Sequence, residues 1–174
     1  MKQLSRYYRE SLSLLSTENG QTFLSLLYPY LRHPSVLRLS EYSHHMATDR
    51  LQHAVSVAYM TFCLYPAEGD ELREICAAAL LHDLFYFDRD HGGVPHFAWF
   101  RHPRLARDNA QAFLPLTPLG EDIILRHMFP LTGRRPRTPA GRLVSLLDKY
   151  CAVREFFLSV SPHSRSRAKN ERNF

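Results

Sequence analysis

The sequence predicts an all-α fold, a single helical domain of about six to eight helices. Three observations carry this. Apolar residues recur at helical spacing, as in Leu51, Ala54, Val55, Ala58, Tyr59 and Phe62. Strand signals are poor, because no alternating run of Val, Ile or Thr is bounded by hairpin turns. Pro34, Pro66, Pro115, Pro130 and Pro136 fall between the periodic segments and punctuate them.

Taken in order, two N-terminal helices are expected near residues 4–16 and 20–31. The stripe that begins at Leu51 makes the next helix. Leu72, Ile75, Cys76, Ala79, Leu80 and Asp83 form the stripe after it. His102-Pro103 and Thr117-Pro118 place proline at a helix start, the second after an N-cap threonine. The last long helix runs from Pro139 to about Ser159, with Val144, Leu147, Asp148 and Cys151 in its stripe. Residues 1–40 are read as helices packed on the core, 41–160 as the main domain, and 161–174 as a basic, disordered tail.

A chain of 174 residues, 45% apolar and 12% aromatic, is long enough for one domain with a real core. No apolar run approaches the ~20 residues of a membrane span. The N-terminus lacks an apolar signal core, so a cytoplasmic protein is expected. Cys63, Cys76 and Cys151 are odd in number, far apart and set in apolar stretches, which reads as buried thiols in a reducing compartment. The net charge is +5 and the pI near 9.3, with Arg165, Arg167, Lys169 and Arg172 concentrated in the tail. A second basic run, Arg134-Arg135-Pro136-Arg137, has no interleaved aromatics for base stacking. It is read as solvated loop charge, and nucleic acid is not expected as a partner. Tyr7, Tyr8 and Tyr30 are expected to be exposed aromatics and leave room for a homodimer face.

Polar residues stand where the pattern wants apolar ones. Asp83 and Asp148 lie on stripes that should face the core, and His127 shares a stripe with Ile123 and Ile124. A buried carboxylate is costly unless it is paired or holds a metal. One core histidine is usually just hydrogen-bonded; several inward His and Asp residues on different helices are hard to satisfy among themselves. Imidazole plus carboxylate suits Zn, Mn, Fe or Ni, and carboxylate-rich versions suit Mn or Mg. His82-Asp83 follows Ala77-Ala78-Ala79-Leu80-Leu81. Adjacent helical residues point about 100° apart, so both reach one ion only near a helix end or distortion.

The order His53, His82-Asp83, Asp148, led into by Ala-Ala-Leu-Leu-His-Asp, resembles the HD superfamily of metal-dependent phosphohydrolases, which is all-helical. The resemblance covers roughly residues 45–157. It extends to a bacterial subgroup defined mostly by sequence. His45 precedes His53 by eight residues, as in that subgroup, though Met46 replaces a glycine and Asp49 takes a position that is often serine. Residues 80–88, 102–110, 124–132 and 146–152 match its doublet, its third and fourth histidine segments and its closing aspartate segment. The resemblance implies that His53, His82, Asp83 and Asp148 bind a first metal. It further implies a second at His102 and His127, bridged by Asp83. One or two divalent ions are expected, among Fe, Mn, Ni, Co, Zn or Mg, with Fe or Mn favoured.

The expected reaction is hydrolysis of a phosphate ester in a nucleotide or small phosphorylated metabolite, through metal-activated water. Asp83 would orient that water, with His45 and Asp88 as proton-transfer groups. Lys149, Arg50 and Arg104 lie beside the expected ligands and are candidates for holding phosphate. Two other readings use the same ligand order: an HD-type di-iron oxygenase, and a non-catalytic nucleotide-sensing module. His91 and His96 lie in a glycine-containing segment read as a mobile loop near the doublet. His33, His44 and His163 have no supporting pattern.

Overall fold

The computed structural model describes residues 2–44, 48–87 and 100–160. Among them are eight helices, as the periodicity predicts. They are α1 (Lys2–Ser11), α2 (Glu18–Leu31), α3 (Pro34–Leu37), α4 (Arg50–Leu64), α5 (Gly69–Leu80), α6 (His102–Gln111), α7 (Pro118–Arg126) and α8 (Pro139–Val160). Short 3₁₀ turns cover Leu14–Ser16 and Arg38–Glu41. Two-residue strands, β1 (Ser43–His44) and β2 (Thr48–Asp49), pair antiparallel before α4. Strands this short carry no alternation, so the pattern gives no sign of them.

The helix starts follow local capping chemistry. Thr17 accepts from the Gly20 amide at 3.0 Å to open α2. Thr117 accepts from the Leu119 and Gly120 amides to open α7, with Pro118 at the first position. Asp49 opens α4 by accepting from the Gln52 amide at 2.7 Å. The residue that departs from the expected serine thus performs the same capping role. The first N-terminal helix ends earlier than expected. The Ser11 hydroxyl bonds the Tyr8 carbonyl at 2.7 Å, and the chain continues as a separate 3₁₀ turn.

Helix α4 is central and packs against α1, α5 and α8, while α7 packs against α5, α6 and α8. Phe23, Leu27, Val57, Tyr59, Met60, Ile75, Leu80 and Leu147 are fully buried between them. Ala77, Ala78 and Ala79 are buried on α5, where small side chains let neighbouring helices come close. Cys76 and Cys151 are buried as expected; Cys63 is only partly so. Tyr7 and Tyr8, expected to be exposed, are buried instead, because α1 packs that face on α4, and Tyr30 is half-buried. None of the described helices is long and apolar enough to cross a membrane.

The start of α8 is fastened to α7. Buried Asp122 accepts from the amides of Arg137 at 3.0 Å and Thr138 at 2.9 Å, and from the Thr138 hydroxyl at 2.8 Å. A Cβ at Gly141 would stand 2.7 Å from Asp122 Oδ2, so only glycine fits this contact. The junction sets the register of α8, which carries Asp148 and Glu155 to the interior.

Candidate metal centre

Asp148 and Glu155 are seven residues apart on α8, two turns along one face. His53 of α4 lies between them. Its Nε2 is 3.2 Å from Asp148 Oδ1, and its Nδ1 is 3.0 Å from both Glu155 oxygens. Helix α5 ends at Leu80, so His82 and Asp83 lie in the turn beyond it, where adjacent residues can face one point. His82 Nδ1 donates to the Ala79 carbonyl at 2.7 Å, which leaves Nε2 with its lone pair. That Nε2 is buried without a hydrogen-bond partner, 3.9 Å from Asp83 Oδ2 and 3.8 Å from Asp148 Oδ1.

The intermediate histidines complete the cluster. His102 is the first residue of α6, and its Nε2 is 3.1 Å from Asp83 Oδ1. His127 caps the end of α7; its Nδ1 donates to the Ile124 carbonyl at 2.8 Å. Its Nε2 lies 3.4 Å from Asp83 Oδ1 and 2.9 Å from His102 Nε2. The Ser145 hydroxyl fixes the His127 carbonyl at 2.7 Å. Three overlapping groups with metal-ligand spacing result: His53–His82–Asp148, His82–Asp83–His127 and His44–His53–Asp83.

Burial opposes ionisation of Asp83, but the neighbouring His82 and His102 outweigh it and hold the carboxyl well below the usual range. Asp148 is likewise held low against burial, by the His53 hydrogen bond, His82 and Lys149. Burial pushes His82 down to about 4, so its imidazole is neutral at physiological pH. Burial also disfavours charge on His53, but Glu155 and Asp148 prevail and raise it to about 10. The unpartnered Nε2 lone pair of His82 thus faces two ionised carboxylates in a buried space. Imidazole and carboxylate donors converging on one buried point fit a divalent cation, which would take the place of the proton that His53 carries toward Asp148.

Two residues of this cluster are absent from the sequence-based site. Glu155 is fully buried and accepts from His53 and also from His44, whose Nδ1 is 2.7 Å from Oε2. Burial disfavours charge on Glu155, yet His53 and His44 lower it to about 2. His44 stacks on His53 with ring centroids 3.8 Å apart. Burial, then the nearby His53, lower His44 to about 4. Glu155 extends the apolar stripe of Val144, Leu147 and Cys151, so the rule that marks Asp148 marks it too. His44 is placed by the short hairpin and has no comparable signal.

The basic residues divide. Lys149 stands at the edge of the cluster, its Nζ 2.8 Å from Asp148 Oδ2 and also bonded to the His127 carbonyl. Arg104 is exposed on α6. Arg50 differs from the expected phosphate donor. It is fully buried, donates to the Phe85 and Phe87 carbonyls at 2.9 Å each, and its guanidinium lies 3.8 Å from the centre of the Phe85 ring. Those carbonyls follow the end of α5 and have left its ladder, so the arginine satisfies backbone there. His45, Asp88, His91, His96 and the tail from 161 lie outside the described residues.

Helices that converge four histidines and two aspartates on one buried point define a class: all-helical proteins with an internal His/Asp centre able to hold metal. Within that class, the family model described as the HD domain matches residues 50–153, and the chain belongs to the HD-domain family. That family is a superfamily of metal-dependent phosphohydrolases. No curated protein and no solved structure matches the chain significantly.

Proposed function

We propose that the protein is a metal-dependent phosphohydrolase acting on a nucleotide or small phosphorylated metabolite. The observation that carries this is the unpartnered Nε2 of His82, buried between the carboxylates of Asp83 and Asp148. In this reading His53, His82, Asp83 and Asp148 hold one divalent ion. His102 and His127 hold a second with Asp83 between them. Asp83 has the disposition of a bridge, with Oδ1 toward His102 and His127 and Oδ2 toward His82. Bound there, such ions polarise a phosphoryl oxygen and lower the pKa of a coordinated water.

The chain's own residues do the rest. Asp83 orients the attacking water. Glu155 holds His53 through Nδ1, so that Nε2 is turned toward Asp148. Lys149 offers a cation at the edge of the site, where a phosphoryl group would meet it. His45 and Asp88 take the proton-transfer roles, and Arg104 stays a candidate phosphate contact.

The test is metal analysis of the purified chain together with a phosphatase screen. Release of phosphate from nucleotides with Mn or Co, abolished in Asp83→Ala, is the expected result. Two bound irons with oxygen-dependent turnover would overturn it, as would tight nucleotide binding without turnover.

A further inference from the structure

Beside the cluster is a cavity of about 420 Å³, within the range of small-molecule sites. It begins at Lys149, whose ammonium is on Asp148, and at Ser145, whose hydroxyl holds the His127 carbonyl. Its position is therefore one residue away from the expected ligands. The wall has two chemistries. Phe129, Pro130, Pro136 and Leu146 supply apolar surface, and Arg135, Arg142 and Lys149 supply three cations with no carboxylate among the lining residues. The rigid rings of Phe129, Pro130 and Pro136 suit a flat partner. Lys149 is paired with Asp148, so Arg135 and Arg142 carry the positive charge left to meet an anionic one. The arginines expected to be plain solvated loop charge thus include one, Arg135, that lines a cavity. Asp122 secures this wall by accepting from the Arg137 amide and by pairing with Arg126 at 3.0 Å.

We propose that this cavity binds the leaving-group half of the substrate, and that this half carries a flat ring and a second anionic group. A nucleotide with two phosphoryl groups has that form. One phosphoryl group lies at the His/Asp cluster beside Lys149, the other meets Arg135 and Arg142, and the base packs on Phe129 and the prolines. The inference rests on the phosphohydrolase reading for the first phosphoryl group only. The second group and the base are recognised by cavity residues that hold no metal.

Equilibrium binding of adenosine, AMP and ADP to the full chain tests this, with and without Mn²⁺. AMP is expected to bind about tenfold or more tighter than adenosine, the size of an added charge-assisted contact from Arg135 and Arg142, and ADP tighter than AMP when Mn²⁺ is present at the cluster. Arg135→Ala with Arg142→Ala should abolish the preference for AMP over adenosine and leave metal content unchanged; both side chains are exposed, so folding is expected to survive. Equal affinity for AMP and adenosine in the natural chain, no AMP binding, or a preference that persists in the double variant would each overturn the proposal. The metal-free arm separates the two ideas. A chain that takes up no metal but keeps an arginine-dependent preference for AMP over adenosine loses the phosphohydrolase reading and retains the cavity. A chain that takes up metal and releases phosphate without that preference does the reverse.

Discussion

Glu155 accepts from His53 Nδ1 through both carboxylate oxygens, each at 3.0 Å, while the opposite ring nitrogen of His53 faces Asp148. One buried carboxylate thereby holds the Nδ1 proton of a candidate ligand and turns its Nε2 toward the cluster. Such partners orient the imidazole and raise its basicity, and their loss costs metal affinity about 10–100-fold. Glu155→Gln should weaken Mn²⁺ or Zn²⁺ binding by that factor, read by competition with a chelating dye. The helical circular dichroism should stay unchanged. Glu155→Ala should also lower stability by about 3 kcal/mol, because it leaves two buried imidazoles without their shared acceptor. Unaltered metal affinity in Glu155→Gln would show that the pair serves packing alone.

The same pair sets a pH dependence in the metal-free protein. His53 is raised from 6.5 to about 10, chiefly by Glu155 against the cost of burial. Its contribution to stability is therefore full below about 6.5 and is lost as pH rises through about 10. Glu155 is lowered from 4.5 to about 2, so its contribution is present above about 4.5 and is lost as pH falls through about 2. His44 and His82, lowered by burial to about 4, cost stability as pH falls from 6.5 toward that value. Thermal melts of chelator-treated protein should be highest near pH 6.5. Glu155→Gln should flatten the alkaline decline; a decline as steep as in the natural chain would remove His53 as its source.

The reach of the sequence follows from which physical signals are local. Asp148 and His127 are visible because each places a polar group on an apolar stripe, and the structure buries both. Glu155 meets the same criterion one turn past Cys151. His44 does not, since a two-residue strand pair brings it onto His53. The turn at His82-Asp83 has no proline or glycine to announce it. It is legible only through the argument that neighbouring ligands need a helix end. Arg50 shows the limit most clearly. Its position just before His53 suggests a substrate contact, but its use depends on carbonyls 35 and 37 residues away.

The nuclearity of the centre rests on His102 and His127, which meet each other and Asp83 Oδ1 but not Asp148. His102→Ala with His127→Ala should reduce bound Mn from about two equivalents to about one, measured by elemental analysis after gel filtration. His82→Ala should lower both, since His82 shares its two neighbouring carboxylates with each group. Two equivalents retained in the double variant would mean that a second ion, if bound, lies elsewhere.

Arg50 closes the backbone that leaves the doublet, and its replacement should act on stability before chemistry. Arg50→Ala removes two charge-assisted hydrogen bonds and exposes two buried or half-buried carbonyls to no partner. It also removes the guanidinium from the Phe85 face, where Phe85 in turn lies 4.8 Å from the His102 ring. A loss of about 3 kcal/mol is expected, which lowers the melting midpoint of a chain this size by roughly 6–12 °C. Arg50→Lys should recover little of it, because one ammonium cannot reproduce a planar fork that donates to two carbonyls and stacks on a ring. A phosphate donor would behave differently. Its loss would raise KM for a phosphorylated substrate and leave the melting midpoint in place, so the two measurements together decide which role Arg50 has.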